Sequence, residues 1–268
     1  MTPKLTAPPK LTAPREEPAA LPEFAALRVK SAFRRGNSLP VLVETPRGAF
    51  VAKLRGAAQG SAALISECLV ADLAEQLGLP VPERAVLQIP AEIPSDDQND
   101  ELLQLLGLSV GKNLGVRFLE GAQELRGDRA ESVDADLAAR VLWLDAWVLN
   151  MDRSARNPNI LNWHGQHWLI DHGAALTFQH DWDGVTEQDP RETPYDLAGH
   201  LFTAHTERMR AIDEQLAKRF TLERLAQAAE RIPRDFLQDA FPQGDANRLP
   251  HAYAAFLWKR LKAPRPWV

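Results

Sequence analysis

The chain has 268 residues, a formal net charge of −5, a pI near 5.8, 45% hydrophobic and 25% charged residues, ordinary globular usage and length enough for one large domain or two modest lobes. The acidic balance gives no general reason to bind nucleic acid, whose affinity rests on neutralising phosphates with Lys and Arg, and no window reaches the ~18 uninterrupted apolar residues of a membrane helix. A single cysteine, Cys68, excludes an internal disulfide or a cysteine zinc site, so a cytoplasmic protein without membrane or nucleic-acid partners is expected, with Cys68 as a small apolar residue on a buried helix face.

The first residues repeat a hexamer, PKLTAP at 3–8 and again at 9–14. Such a proline-rich stretch cannot build a core, and residues 1–22 are expected to be an extended, disordered tail. No basic start followed by an apolar run marks a signal peptide. From Leu27 the pattern turns to short β-like runs: Leu27–Lys30, Leu39–Glu44, a turn at Thr45–Gly48, and Ala49–Leu54. Alternation along the last run puts Phe50, Ala52 and Leu54 on one face and Val51 and Lys53 on the other. Taken alone, a strand lysine is most simply a solvated one.

After a loop of small residues at 55–60, the spacing predicts an amphipathic helix over 61–77, with Gly78 as its C-cap. Glu67 falls on a track with Val70, Ala71 and Ala74, so it leans toward the protein and needs a partner. A strand at Ala85–Ile89, a polar loop over 90–100, a short helix at Leu102–Leu106 and a final strand at Val116–Glu120 close the first part before Gly121.

A helix over Asp134–Leu149 then leads into the stretch Leu144–Leu176. It runs from an apolar helix into a polar loop opened by Asp152, and through two short apolar segments to Ile170-Asp171-His172-Gly173. Asn157 and Asn159 lie between the two aspartates, and this concentration of carboxylates and carboxamides suits a divalent metal and a polyphosphate. Helical patterns follow at 195–213, 221–231 (with Thr221 as N-cap) and 249–261, before an irregular tail at 263–268. Strands with one helix followed by mostly helices predict an α+β fold of two lobes, 23–121 and 122–268, meeting at a cleft. The tryptophans at 143, 147, 163 and 168 read as core packing, and histidines 164, 167, 172 and 180 lack the spacing of a zinc site.

Phosphoryl transfer demands positioning more than covalent chemistry. A lysine holds nucleotide phosphates, a helix acid holds the lysine, a loop aspartate orients the acceptor hydroxyl, and an asparagine with a second aspartate holds metal. Lys53, Glu67, Asp152, Asn157 and Asp171 occur in that order. The five-residue step from Asp152 to Asn157 matches the kinase catalytic loop, and Asp171-His172-Gly173 stands where Asp-Phe-Gly would.

On these pieces, with VLVETPRGAFVAKLRGAAQG, SECLVADLAEQLGLPVPE, NMDRSARNPNIL and WLIDHGAAL, the chain resembles bacterial HipA-like kinases of the two-lobed protein-kinase-like and phosphatidylinositol-kinase-like superfamily. The resemblance covers roughly 39–176. It implies ATP between the lobes, Lys53 on the α/β phosphates with Glu67 as ion-pair partner, Asp152 as catalytic base and Asp171 as principal Mg²⁺ ligand. It further implies that the backbone near Phe118, Leu119 and Glu120 meets the adenine and that residues 35–38, ending at Ser38, cover the phosphates. The acceptor is expected to be a hydroxyl, Ser or Thr of a protein, and the identity of any regulatory protein partner is left open.

The loop departs from the family pattern in three ways. Ser154 replaces the histidine that follows Asp-Arg in better-known relatives, so that residue's role does not transfer. Asn157 has the expected distance from Asp152, whereas Asn159 precedes the expected Ile160-Leu161; the first is favoured and both stay open. A multi-glycine loop over the phosphates is missing. A small-molecule or lipid-type kinase and a nucleotide-binding pseudokinase acting as a regulatory module are the rival readings.

Overall fold

A computed structural model describes residues 20–33 and 39–268. The proline-rich segment to residue 19 and the loop that ends at Ser38 lie outside the described residues. The N-terminal part is a six-stranded sheet in the order β1-β5-β6-β4-β3-β2, built from β1 (Glu23–Ala25), β2 (Arg28–Ala32), β3 (Val41–Thr45), β4 (Gly48–Lys53), β5 (Arg84–Ile89) and β6 (Gly111–Arg117). All its pairings are antiparallel except β1 with β5. The two-residue turn between β3 and β4 is closed by Gly48 at φ +98°, a conformation that favours glycine.

Strand alternation divides the sheet as expected. Phe50, Ala52, Ala85, Leu87 and Ile89 are buried on one face under Leu102 and Leu106 of helix α2 (Asp100–Leu108). Lys53 lies opposite Leu114 on the other face, and Leu114 packs into a larger core shared with helix α1 (Gly60–Gln76) and the C-terminal helices. Gly115 lies beneath Leu87, where a Cβ would meet that side chain at 2.6 Å.

Two differences from the sequence expectation concern this part. Helix α1 is buried on nearly every side from Leu64 to Ala74 rather than amphipathic, because it is sandwiched between the sheet and the helical remainder. The last strand is Gly111–Arg117 instead of Val116–Glu120, and Phe118, Leu119 and Glu120 follow it without strand structure. Two glycines and an asparagine disguise residues 111–115 as a turn, but pairing with both β4 and β5 overrides that preference.

The remainder is helical apart from a small sheet of β7 (Gln123–Glu124), β8 (Ile160–Trp163) and β9 (Gln166–Leu169). Its helices are α3 (Ala135–Val148), α4 (Asp189–Glu192), α5 (Thr206–Ala217), α6 (Leu222–Glu230), α7 (Arg234–Ala240) and α8 (Leu249–Arg260). The segment expected to turn helical at Tyr195 does so only at Thr206; before that it buttresses the polar loop after α3. The irregular C-terminal tail is firmly docked. Trp267 is buried against Trp143 with ring centroids 5.5 Å apart, and Arg265 pairs with Asp213 at 2.5 Å.

Candidate active site

Past its exposed first turn helix α3 is mostly apolar and buried, yet it carries there a carboxylate, Asp145, with no solvent exposure. A buried charge must be matched and hydrogen-bonded. Asp145 accepts from Asn150 Nδ2 at 2.8 Å and Arg153 Nε at 2.6 Å, and lies 3.0 Å from His200 Nε2. Burial opposes its ionised form, but Arg153 and then His200 outweigh burial and hold the carboxyl below the usual range. This cluster shapes the loop. Leu149 leaves the helix in the left-handed conformation at φ +58°, Asn150 Oδ1 accepts from the Asp152 amide at 3.3 Å, and Arg153 Nη1 donates to the carbonyls of Pro158 and Asn159 at 3.0 and 2.6 Å. Tyr195 Oη donates to Asn150 O at 2.6 Å, and the Leu201 amide to Arg153 O at 3.0 Å.

Asp152 is thereby presented at the mouth of the loop. Its Oδ2 accepts from Asn157 Nδ2 at 2.9 Å and from Asn159 Nδ2 at 3.3 Å, which leaves each carboxamide oxygen directed elsewhere. Asn159 is held at φ +51°. Its carbonyl also accepts from the Ile170 amide at 3.0 Å, so it lies across the β8–β9 hairpin from the residue preceding Asp171. Asn157 sits further out and is exposed.

Asp171 follows β9 with φ +58°, a strained conformation that persists only where surroundings enforce it. Lys53 Nζ reaches Asp171 Oδ1 at 2.6 Å and pairs with Glu67 Oε1 from α1. One ammonium thus joins sheet, helix and the segment after β9. Burial alone would lower Lys53, but Glu67 and then Asp171 outweigh it and hold the ammonium above its ordinary value. Burial raises Asp171, yet the Lys53 charge prevails and takes it down to about 2, whereas burial pushes Glu67 up. Gly173 passes close to the bridge, since a Cβ there would lie 3.3 Å from Glu67 Oε1 and in ordinary contact with Ala63 Cβ at 3.4 Å.

Of the expected site residues, Lys53, Glu67 and Asp171 form one contact group and Asp152, Asn157 and Asn159 another, joined through Asn159 O and Ile170 N. Ser38 lies outside the described residues. Around the expected adenine contacts, the Phe118 amide donates to Ala49 O at 3.1 Å, Leu119 O accepts from Ala122 N at 3.1 Å, and Glu120 O accepts from Trp163 Nε1 at 2.9 Å. Sequence reasoning missed Asp145, Asn150, Tyr195 and His200. An acid inside the apolar run WLDAW was the one local signal; the rest depends on contacts across 45 to 55 residues.

A two-lobed kinase-like architecture with a lysine–carboxylate bridge beside an aspartate loop is the class that fold and site define. A family model for HipA-like kinases matches residues 28–253, and the chain belongs to the HipA-like kinase family, which makes it a phosphotransferase. The solved structure of the Helicobacter pylori proinflammatory kinase CtkA resembles it with a TM-score of 0.55 at 10% identity, over 89% of this chain and 92% of that one, a likeness of fold. No curated protein matches the sequence.

Proposed function

We propose that the chain transfers the γ-phosphoryl group of ATP, with Mg²⁺, to the hydroxyl of a protein Ser or Thr, from a cytoplasmic location and with 23–121 and 122–268 as its two lobes. The observation that carries this is the Lys53 bridge between Glu67 and Asp171, joined to the Asp152 loop through the Ile170 amide and Asn159. Glu67 holds Lys53 extended toward the α/β phosphates. Asp152 accepts the proton of the acceptor hydroxyl as its oxygen bonds to the γ-phosphorus and the bond from phosphorus to the β,γ-bridging oxygen breaks, releasing ADP. Backbone groups around Phe118, Leu119 and Glu120 would meet the adenine, with Phe118 O and the Leu119 and Glu120 amides the polar groups there without the bonds described above.

Asp171 supports metal binding because its side chain is 43% exposed despite the Lys53 contact. The hard oxygen donors of Asp171 and a carboxamide suit Mg²⁺, which when bound would neutralise charge on the phosphates. Of the two asparagines we assign the ligand role to Asn159, whose carbonyl accepts from the amide of Ile170, the residue before Asp171. Asn157, bonded to Asp152 but exposed, positions the base.

Asp152→Ala is expected to keep Mg·ATP affinity and abolish transfer, whereas Asp171→Ala weakens binding itself. Calorimetric titration beside a labelled-ATP transfer assay distinguishes them. Equal loss of binding in both variants overturns the assigned roles, and wild-type binding without transfer to any lysate protein favours a regulatory binding module. Asn159→Ala should raise the Mg²⁺ requirement more than Asn157→Ala; the reverse order returns the ligand role to Asn157.

A further inference from the structure

A second concave site lies away from the Lys53 cleft, between the C-terminal half of α1 and helix α6. Asp72 and Gln76 from α1 face Arg219, Arg224, Gln227 and Arg231 around a cavity of about 530 Å³, a volume typical of small-molecule sites. Three arginines and two glutamines supply most of its lining side chains.

The charge of this cavity is opposite to that of the protein. Asp72 is the one carboxylate in the lining, and both its oxygens are engaged: Oδ1 by the buried Arg84 Nη1 at 2.8 Å and Oδ2 by Arg231 Nη1 at 3.1 Å. Arg84 is shared in turn with Glu75 at 2.6 Å. Four guanidinium groups (84, 219, 224 and 231) therefore stand against two carboxylates (72 and 75), a local balance of +2 on a chain of net charge −5. Arg224 Nη1 is tied to Arg219 O at 2.7 Å, which holds the Arg224 fork over the end of α5. Planar forks of this kind suit phosphate oxygens, which accept two parallel N–H bonds.

We infer that this groove binds a multiply charged phosphate compound of small-molecule size, with Arg219 and Arg224 as its principal contacts. The inference stands independently of the kinase reading. Asp72 lies five residues beyond Glu67 on α1, so an occupant would touch the helix that holds Lys53.

The test is calorimetric titration of pyrophosphate without divalent ions into wild type, Arg219→Ala/Arg224→Ala and Lys53→Ala. Both substituted arginines are exposed, so the double variant should fold. It is expected to bind at the groove at least about tenfold more weakly, as loss of charge-assisted bonds implies, while Lys53→Ala keeps that arginine-dependent isotherm whatever it loses at the Lys53 cleft. Should Lys53→Ala fail to fold, phenylglyoxal labelling of wild type read by mass spectrometry decides the matter, because pyrophosphate should protect Arg219 and Arg224. Absence of saturable binding, unchanged affinity in the double variant, or no protection overturns the inference. Poly-glutamate binding more tightly than pyrophosphate with the same arginine dependence would reassign the groove to an acidic protein partner and overturn it too.

Discussion

Gly127 shows how closely the loop after α3 is confined. A Cβ there would stand 1.9 Å from Ala155 O and 2.7 Å from Ala155 C, both backbone atoms that no rotamer change can move aside. Gly127→Ala should therefore displace residues 152–159, lowering the transfer rate more than ATP affinity and destabilising the fold by roughly 1–3 kcal/mol. Turnover measured beside denaturant melts checks this, and an unchanged rate would show that the loop yields freely. His172 offers a second test at this scale. It is buried, neither ring nitrogen has a partner among the described residues, and burial with the Arg153 charge holds it down to about 3. Unfolded histidine takes up a proton near pH ~6.5, so between there and about 3 the unfolded state binds more protons and stability falls with acidification. The depressed Asp171 adds its own loss below about pH 4, toward its folded value of about 2. His172→Phe, studied without divalent ions, should flatten the slope between pH 6.5 and about 4 but leave the carboxylate loss below it; an unaltered slope above 4 would mean that His172 is not held neutral.

At the scale of elements, α1 is fixed by more than apolar contact. Tyr253 Oη of α8 donates to Gln179 Oε1 at 2.8 Å, Gln179 Nε2 donates to Ser66 Oγ at 2.8 Å, and Ser66 Oγ donates to Ala175 O at 3.0 Å. This buried chain joins the last helix to the residue before Glu67 and to the segment after Asp171. Tyr253→Phe leaves the Gln179 carbonyl oxygen buried without its donor and should cost about 1–3 kcal/mol, measurable by chemical denaturation, whereas Tyr253→Leu should cost more through lost packing. The residues proposed to carry the chemistry each sit in a local pattern: Lys53 in a two-residue alternation, Asp152 and Asn157 in a five-residue step, Asp171 at the end of an apolar run. Ser66 and Gln179 carry no such pattern, since their partners are 109 and 74 residues distant. The expected amphipathic α1 failed for a related reason. Periodicity reports one solvent face, and a helix enclosed by a sheet and by other helices has almost none.

Over the whole molecule, the order of strands and helices disclosed two lobes, but the division of the core required long-range contacts. Helix α1 packs into the larger hydrophobic cluster with α3, while α2 and the outer sheet face make a smaller one. Helix α1, which lies within the first lobe, thus joins the sheet to the core of the helical remainder across the boundary between them. Polar ties across that boundary run through α7. Asp239 accepts from Arg55 Nη2 at 2.7 Å and Ser61 Oγ at 2.5 Å, and Asp235 pairs with Lys112 at 3.1 Å. These ties are partly exposed, so each should contribute at most about 1 kcal/mol to global stability. Their effect is local, because Arg55 and Ser61 bracket the loop between Lys53 and α1. Asp239→Ala is accordingly expected to leave the melting temperature within a few degrees, since about 1 kcal/mol shifts a domain of this size by roughly 2–4 °C, while amide exchange over residues 55–60 accelerates and the KM for ATP rises. Exchange in that loop as slow as in wild type would mean that Asn113 Oδ1, which accepts from the Arg55 amide at 2.8 Å, and Ser109 Oγ, which accepts from the Gly56 amide at 3.1 Å, hold it unaided.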